Sequence, residues 1–421
     1  MRLDQLHIQN FRCYEDATFD FQPGFNLVVG VNGSGKTSLL QAVATSFSDF
    51  AVSTGNQSNA GSGDEVRFVV DTFESGNRFE RCFPLALKAK GDIFGRNHWE
   101  FFMSRNGAPP LADISLDIGV GMAIDEINSK SGLDLNVLAF YRAGRRWTSE
   151  NISAEFGAMH RVSRFDGYKD WFDAAINLTE FESWFIGKTL EQLQKISKYG
   201  HPKNGFDDEL TWVNEAVKSA LPECKGLQYD LTSRSLLVDF EDVSFPFADL
   251  SDGQRGMVAL FSDIARRMCI LNPHMGKNVL KNTSGVVIID ELDIHLHPAW
   301  QRSIAPALKK AFPKVQFIAA SHSPQIIGSL KPEEVILLDT GATHPRVTYG
   351  LDSSRVLEEV MGVSEREPEI ETLLSELFRT IEDNHLEKAK AQLQLLKERA
   401  PDLPEFAGAQ ALIRRKEILG K

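Results

Sequence analysis

The chain has 421 residues, 42% of them hydrophobic and 25% charged, which is typical of a globular protein with two or three domain-sized units. Its 58 acidic and 46 basic residues give a net charge of −12, which argues against a dedicated nucleic-acid-binding domain. With no apolar run near the ~20 residues of a membrane helix, no signal-peptide core and four unpaired cysteines, we expect no membrane contact and a cytoplasmic location.

The N-terminal region shows the alternation of apolar side chains that predicts β-structure. We expect two antiparallel strands and then an apolar strand over 26–29, followed by a helix from residue 37. A Gly/Ser/Asn-rich stretch over 53–63 predicts an exposed loop, and strands are expected again over 65–70 and 78–87.

The rest of the chain alternates between helical and extended patterns. Apolar residues spaced by three and four positions predict helices over 168–221 and again in the tail after 353. The elements expected between them are strands over 226–247, a helix over 253–271, a strand over 286–290, a helix over 299–311 and a strand over 315–320.

A phosphate-loop pattern directly follows the apolar strand over 26–29, and its sequence is Gly30-Val31-Asn32-Gly33-Ser34-Gly35-Lys36-Thr37. Its glycines let successive backbone N–H groups turn toward a phosphate, and the following helix adds its N-terminal dipole. Lys36 is expected to bridge the β- and γ-phosphates of ATP, and the Thr37 hydroxyl to ligate Mg²⁺. The predicted nucleotide-binding residues here are Asn32, Gly33, Ser34, Gly35, Lys36, Thr37 and Ser38.

The predicted strand over 286–290 ends in two adjacent carboxylates, Asp290 and Glu291. Because neighbouring side chains of a strand point to opposite faces, the two carboxylates are expected to have different tasks. Asp290 is expected to hold Mg²⁺ through water, and Glu291 to polarise the water that attacks the γ-phosphate. The alternative is an ordinary strand followed by an acidic turn, and the phosphate loop upstream argues against it.

The segment from Leu250 to Arg255 resembles the signature sequence of ABC proteins, with Asp252 in place of the first glycine. Ser251, Gly253 and Gln254 belong to the start of a predicted helix, where free N–H groups can bind a γ-phosphate. The signature lies far from the phosphate loop of its own chain, so it would complete a site only on a second subunit, arranged head to tail. The alternative is a helix cap without a ligand.

Two further segments follow in the order found in ABC proteins. Leu292 and Asp293 directly follow Glu291 and resemble the D-loop, which crosses the dimer interface in that family. His322 ends the next predicted strand and resembles the switch histidine, which implies contact with the γ-phosphate. Glu291, His322 and Lys36 are therefore the predicted catalytic residues.

Together the motifs resemble the branch of ABC ATPases that includes the SMC, RecF and OLD-type proteins. The segment from Leu6 to Arg12 resembles their opening strand, which implies that Asn10 and Arg12 lie close to the nucleotide, with Arg12 at a phosphate. The resemblance implies an α/β fold with an ABC-type P-loop ATPase head, in which a mixed central sheet with helices is joined by an antiparallel β subdomain. It also implies a short helical insertion and a C-terminal helical extension. The four parts are placed at 1–160 (N-terminal lobe), 161–225 (insertion), 226–350 (C-terminal lobe) and 351–421 (extension).

A group of bacterial ATP-binding proteins shows a resemblance over most of the chain. It is carried by Phe140-Tyr141-Arg142-Ala143-Gly144-Arg145, Ile264-Ala265-Arg266-Arg267, Leu271-Asn272-Pro273 and the segment from Asp290 to Gln301. Related ATPases are the PtuA-like subunits of Septu-type and retron-associated anti-phage systems, in which a separate HNH nuclease is the effector. The resemblance implies a homodimer or higher oligomer with such a partner. The chain after His322 has no Asp-x-Asp pair, so we expect no Toprim-type nuclease in it.

Two other functions stay open on the sequence. One is a RecF-like, ATP-dependent DNA-binding repair protein, for which the basic segments 142–146 and 161–164 are candidate contacts, with solvated surface as the alternative. The other is the nucleotide-binding subunit of a transporter, which would need a membrane partner. The Asn-Phe-Arg opening and Asp252 argue against the transporter.

Overall fold

The structure is a computed structural model that describes residues 1–55, 64–73, 76–105, 132–145, 147, 163–174, 178–202, 205–338, 342–364 and 366–419. Its strands are β1 (Arg2–Phe11), β2 (Tyr14–Asp20), β3 (Phe25–Val29), β4 (Phe68–Phe73), β5 (Gly76–Arg81), β6 (Leu85–Ile93), β7 (Arg96–Met103), β8 (Val137–Tyr141), β9 (Gly226–Asp230), β10 (Ser235–Asp239), β11 (Ser244–Pro246), β12 (Gly285–Ile289), β13 (Val315–Ala320) and β14 (Val335–Leu337). Its helices are α1 (Lys36–Ser46), α2 (Ser48–Ser53), α3 (Leu178–Tyr199), α4 (Glu209–Ala220), α5 (Asp252–Leu271), α6 (Val279–Asn282), α7 (Pro298–Ala311), α8 (Pro324–Ile327), α9 (Ser353–Arg355), α10 (Pro368–Glu382), α11 (Leu386–Arg399) and α12 (Glu405–Leu419).

A parallel sheet with the strand order β14-β3-β13-β12-β8 forms the core of the unit Met1–Asp352. Every residue of β3, β8, β12 and β13 is buried, as expected for parallel strands whose two faces are both covered. All neighbouring strands run in the same direction, so their carboxyl ends meet at one edge of the sheet. The phosphate loop, Asp290, His322 and Arg142 follow four of these strands and therefore gather at that edge.

An antiparallel sheet with the order β2-β1-β6-β7 adjoins the parallel sheet. The buried side chain of Gln316, on β13, connects the two sheets. Its amide oxygen accepts a hydrogen bond from the Leu3 N–H (2.8 Å), and its amide nitrogen donates to the Leu3 carbonyl (2.7 Å). This pair of bonds holds β1 in a set position, and with it the β1–β2 hairpin beside the phosphate loop.

Most predicted elements are confirmed, and α5, β12 and α7 lie within one residue of their predicted bounds. The predicted α/β architecture with an antiparallel sheet is confirmed as well. The predicted single strand over 78–87 is wrong, because β5 ends at Arg81 and β6 begins at Leu85. Pro84 lies between them and has no N–H to donate to a ladder. Ser53, predicted as loop, ends α2, and residues 56–63 of that loop lie outside the described residues.

The second unit, Ser353–Lys421, contains the predicted C-terminal helices. Helices α10, α11 and α12 pack around an apolar core of Leu374, Leu377, Ile381, Ala389, Leu393, Leu396, Phe406, Ala409 and Ile413. The division of the remaining chain at 160 and 225 stays a prediction. No helix in the described ranges is long and apolar enough to cross a membrane.

Candidate nucleotide-binding and catalytic site

A cavity of ≈260 Å³ opens at the carboxyl edge of the parallel sheet. It is lined by Cys13, Asn32, Gly33, Gly35, Lys36, Thr37, Ser38, Asp290, Glu291, Ala320, Ser321 and His322. Three strand ends, those of β3, β12 and β13, thus bring residues distant in the chain to one cavity. Most of the phosphate-loop, carboxylate and histidine residues predicted from the sequence lie together here.

The phosphate loop holds its lysine folded back against the loop itself. The Lys36 ammonium group donates to the carbonyls of Gly30 (2.8 Å) and Val31 (2.9 Å), and the residue is buried. Gly35, the N-cap residue before α1, has φ +100, and a β-carbon there would lie 2.7 Å from the Tyr14 hydroxyl oxygen. Only glycine both adopts this positive φ without strain and leaves room for the Tyr14 hydroxyl, so the loop geometry depends on glycine at this position.

The Thr37 hydroxyl and the Asp290 carboxylate are in direct contact although 253 residues separate them. The hydroxyl donates to Asp290 Oδ2 at 2.9 Å. Burial raises the pKa of Asp290 above its ordinary value, and the bond from Thr37 opposes that rise. In the described part of the chain, no group of three or more His, Cys, Asp or Glu side chains is arranged to hold a metal. Two oxygen donors fit Mg²⁺, which takes its other ligands from water and substrate phosphates.

An unpartnered hydroxyl also lies in the phosphate loop. Ser34 Oγ is buried, and no hydrogen-bond partner for it is found within the described ranges. Buried polar groups in folded proteins are normally satisfied. The orphaned hydroxyl fits a loop that is completed by a ligand with acceptor oxygens, such as a phosphate.

Glu291 adopts a backbone conformation that is unusual for a residue with a side chain, with φ +47. Its exposed carboxylate lines the cavity. Arg145 donates to the carbonyl of Asp290 (2.5 Å) and to that of Glu291 (2.8 Å). Burial lowers the pKa of Arg145 to about 10, a shift that the carboxylates of Asp290 and Glu291 oppose, so the guanidinium stays protonated at neutral pH.

The segments around His322 and Asp293 are joined by two hydrogen bonds. The Ser321 hydroxyl donates to Asp293 Oδ1 (2.6 Å), and the Leu292 N–H donates to the Ala320 carbonyl (2.8 Å). The residues after Glu291 and before His322 therefore form one structural element at the rim of the cavity.

The predicted signature residues do not line this cavity. Ser251 and Gln254 form a capping box at the start of α5, in which the Gln254 N–H donates to Ser251 Oγ (3.4 Å) and the Ser251 N–H donates to Gln254 Oε1 (3.3 Å). The Ser251 hydroxyl also donates to Gln254 Oε1 at 2.8 Å. A β-carbon on Gly253 would lie 2.5 Å from the His295 carbonyl oxygen. Within a single chain, the helix-cap alternative describes these residues, and their contact with a nucleotide stays a prediction.

The predicted closeness of Asn10 and Arg12 to the nucleotide stays a prediction. Asn10 and Arg12 are not among the residues that line the cavity, and the Asn10 amide donates to the Pro84 carbonyl (2.9 Å). Arg12 Nε is buried, and it has no hydrogen-bond partner in the ranges that the structure covers. Instead Cys13 lines the cavity, and the Tyr14 hydroxyl donates to the Gly35 carbonyl (3.1 Å). The sequence signal that locates them is their position in the hairpin turn after Asn-Phe-Arg.

In the described parts of the two basic segments, the arginine side chains make contacts within the molecule, and a DNA contact stays a prediction. The Arg142 guanidinium lies 4.8 Å from the centre of the Phe172 ring. Arg164 donates to the carbonyls of Leu271 (2.7 Å) and Leu133 (2.5 Å), at the end of α5. The guanidinium groups of Arg142, Arg145 and Arg164 are thus each engaged by partners of this chain. Residues 146 and 161–162 lie outside the described residues.

Known proteins resemble the chain over most of its length. The AAA_21 family model, described as "AAA domain, putative AbiEii toxin, Type IV TA system", matches residues 25–328. The chain is 26% identical to the Retron Ec83 probable ATPase of Escherichia coli, over 88% of this chain and 78% of that protein. It is 25% identical to the Septu protein PtuA of Bacillus thuringiensis, over 92% of this chain and 91% of that protein. The SMC head domain from Thermotoga maritima matches 80% of this chain and 94% of that domain at 13% identity, with a TM-score of 0.40. The sequence relatives confirm the resemblance that the motifs indicated.

Proposed function

Because the chain belongs to the AAA_21 family, we propose that it binds ATP with Mg²⁺ and hydrolyses the ATP to ADP and phosphate. The observation that carries this proposal is that a phosphate loop, two carboxylates and a histidine line one cavity. A site that only bound phosphate would need no general base, whereas Glu291 stands exposed at the rim, where water can reach it.

Each side chain has a separate task in the proposed reaction. Lys36 releases the loop carbonyls and meets the β- and γ-phosphates, and His322 donates a hydrogen bond to the γ-phosphate. Glu291 accepts a proton from the attacking water. Thr37 and Asp290 are the residues that would hold Mg²⁺, which when bound neutralises charge on the phosphates.

The proposed site is completed by a second copy of the chain in a homodimer or higher oligomer. Ser251, Gly253 and Gln254 stand at the N-terminus of the 20-residue helix α5, outside the cavity of their own chain. Such a helix start favours an anion, and a head-to-tail arrangement would bring it to the γ-phosphate of the partner subunit. Each dimer then holds two sites, and each site takes residues from both chains.

Mixing two inactive variants tests this arrangement. Lys36→Ala disables the phosphate loop, and Ser251→Arg places a long side chain where the partner's phosphate would lie. In a head-to-tail dimer of one copy of each, one site has both intact halves and the other has neither. We expect mixed, re-equilibrated variants to recover roughly a quarter of wild-type ATPase activity per subunit, because half of the dimers are mixed.

The controls are each variant alone, carried through the same dissociation and mixing steps, and neither should recover activity. If the mixture stays as inactive as the separate variants while mixed dimers are present, the composite site is wrong. ATP hydrolysis by the wild-type protein is measured in the same assay, so the reaction and the arrangement are judged separately.

We further propose that nucleotide turnover controls a separate effector in anti-phage defence. The support is the similarity to the Retron Ec83 probable ATPase and to the Septu protein PtuA. The effector chemistry that fits is a nuclease such as an HNH enzyme, and the proposal assigns no nuclease to this chain. A direct DNA contact is less well supported, since the net charge is −12 and Arg142, Arg145 and Arg164 have partners inside the molecule.

Infection assays test the defence proposal. Where the neighbouring gene encodes an HNH nuclease, we expect cells that express both proteins to resist a susceptible phage. The Glu291→Gln variant, expressed to the same level, should change that protection by orders of magnitude in plaque count. Protection that is the same with the wild-type chain, the variant or the nuclease alone would refute a role for nucleotide turnover.

A further inference from the structure

Arg145 makes contacts that determine the backbone at Glu291. One guanidinium nitrogen donates to the Asp290 carbonyl at 2.5 Å, and the other donates to the Glu291 carbonyl at 2.8 Å. These are the two peptide groups on either side of the Glu291 α-carbon. Their relative orientation is set by φ and ψ of Glu291, so the guanidinium bridges the two groups that define this conformation.

That conformation needs support from the surrounding structure. Glu291 has φ +47, in the left-handed region where a residue with a β-carbon is disfavoured. Asp290 is anchored upstream, since its N–H donates to the Tyr141 carbonyl at the end of β8 (2.8 Å). Leu292 is anchored downstream by its bond to Ala320 (2.8 Å). At Glu291 itself, the N–H donates to Asp290 Oδ1 (3.1 Å) and the carbonyl accepts from the Ile294 N–H (3.1 Å). Arg145 adds the restraint that spans both carbonyls, from a turn only four residues beyond Tyr141.

We propose that Arg145 is a positioning residue for Glu291, holding the backbone so that the carboxylate faces the water that attacks the γ-phosphate. The inference rests on the proposed hydrolysis and adds a requirement to it. Arginine suits the position because its planar fork reaches two carbonyls at once with charge-assisted bonds, whereas the lysine ammonium is a single point charge. The role is one of geometry, because Arg145 contacts the carbonyls of Asp290 and Glu291.

The test compares Arg145→Lys and Arg145→Gln with a matched control, Arg142→Lys. Arg142 belongs to the same turn, but its guanidinium stacks on Phe172 and bonds the Phe172 carbonyl (3.2 Å). Both Arg145 variants are expected to lower kcat by about 10²-fold, because a misplaced catalytic group costs rates of this order. The Kd for ATP should stay within about threefold of wild type, and Arg142→Lys should keep kcat within about threefold.

Adding guanidinium ion to the Arg145→Ala variant distinguishes positioning of Glu291 from a general structural role, because recovery of kcat is expected only for positioning. We expect millimolar guanidinium to raise kcat of this variant by about tenfold and to leave Glu291→Gln unchanged. If Arg145→Lys keeps wild-type kcat, or if kcat and ATP affinity fall together without rescue, the positioning role is wrong. If the wild-type protein does not hydrolyse ATP, the proposed function itself is wrong. If Glu291→Gln is inactive while Arg145→Lys is active, the proposed function stands and only the positioning role of Arg145 is wrong.

Discussion

Replacing Glu291 with Gln is expected to lower kcat for ATP hydrolysis by about 10³-fold and to leave ATP binding intact. Glutamine has nearly the same size as glutamate but cannot take a proton from water. The side chain is exposed at the rim of the cavity, so the substitution should not disturb the packed sheet. Steady-state phosphate release and the Kd for a fluorescent ATP analogue measure the two quantities.

The same variant should also accumulate as an ATP-bound dimer, because ATP that joins two subunits is no longer hydrolysed. Size-exclusion chromatography with light scattering, with ATP and Mg²⁺ in the buffer, measures this shift in mass. The matched control is Glu333→Gln, an exposed carboxylate just before β14, at the opposite edge of the parallel sheet. A Glu291→Gln protein that hydrolyses ATP within about threefold of wild type would exclude Glu291 as the base.

Replacing Asp263 with Asn is expected to lower the free energy of unfolding by about 3–5 kcal/mol. Asp263 is a buried carboxylate on α5 that pairs with Arg266 (2.6 Å) and Arg267 (2.7 Å) and accepts a bond from the Tyr141 hydroxyl (2.8 Å). Both guanidinium groups are also buried. Without the carboxylate, two buried positive charges lose the counter-charge that both of them contact.

Tryptophan fluorescence during urea unfolding measures this loss selectively. All six tryptophans, Trp99, Trp147, Trp171, Trp184, Trp212 and Trp300, belong to the unit Met1–Asp352 that contains the cluster. The control is Glu80→Gln, which breaks the surface pair between Arg78 and Glu80 in the same unit and should cost less than about 1 kcal/mol. An Asp263→Asn protein as stable as wild type would mean that the cluster is not held by its charges.

The difference in the free energy of unfolding between wild type and Asp263→Asn is expected to decrease as the pH falls. Burial alone raises the pKa of Asp263, but Arg267 and Arg266 outweigh burial and hold it at about 2, below the ordinary value of 3.8. The stabilisation is therefore complete above pH 3.8 and is lost as the pH falls toward 2. The stability difference between wild type and Asp263→Asn should shrink over that range.

Prediction from the sequence succeeds where the chemistry is encoded in neighbouring residues. The spacing of glycines before Lys36 and Thr37 defines a phosphate loop, and an apolar run ending in Asp290 and Glu291 defines a buried strand with two carboxylates. Each pattern is local, so a reader of the chain can identify it without knowing what packs against it. Most residues of the cavity belong to these patterns, and the fold class follows from the family resemblance that they carry.

Other residues acquired their place only through the tertiary structure. Arg145 contacts Asp290 across 145 residues, because β8 happens to be the neighbour of β12 in the sheet. No local pattern specifies which strand pairs with which, and the arginine looked like part of a basic surface segment. The contact of the Tyr14 hydroxyl with the phosphate loop also depends on tertiary structure, because it forms where the antiparallel sheet packs beside the parallel one.

The sequence by itself thus determined which residues form the phosphate loop and the carboxylate pair. The tertiary structure decided which side chains hold those residues in position, because supporting contacts depend on strand order and sheet packing.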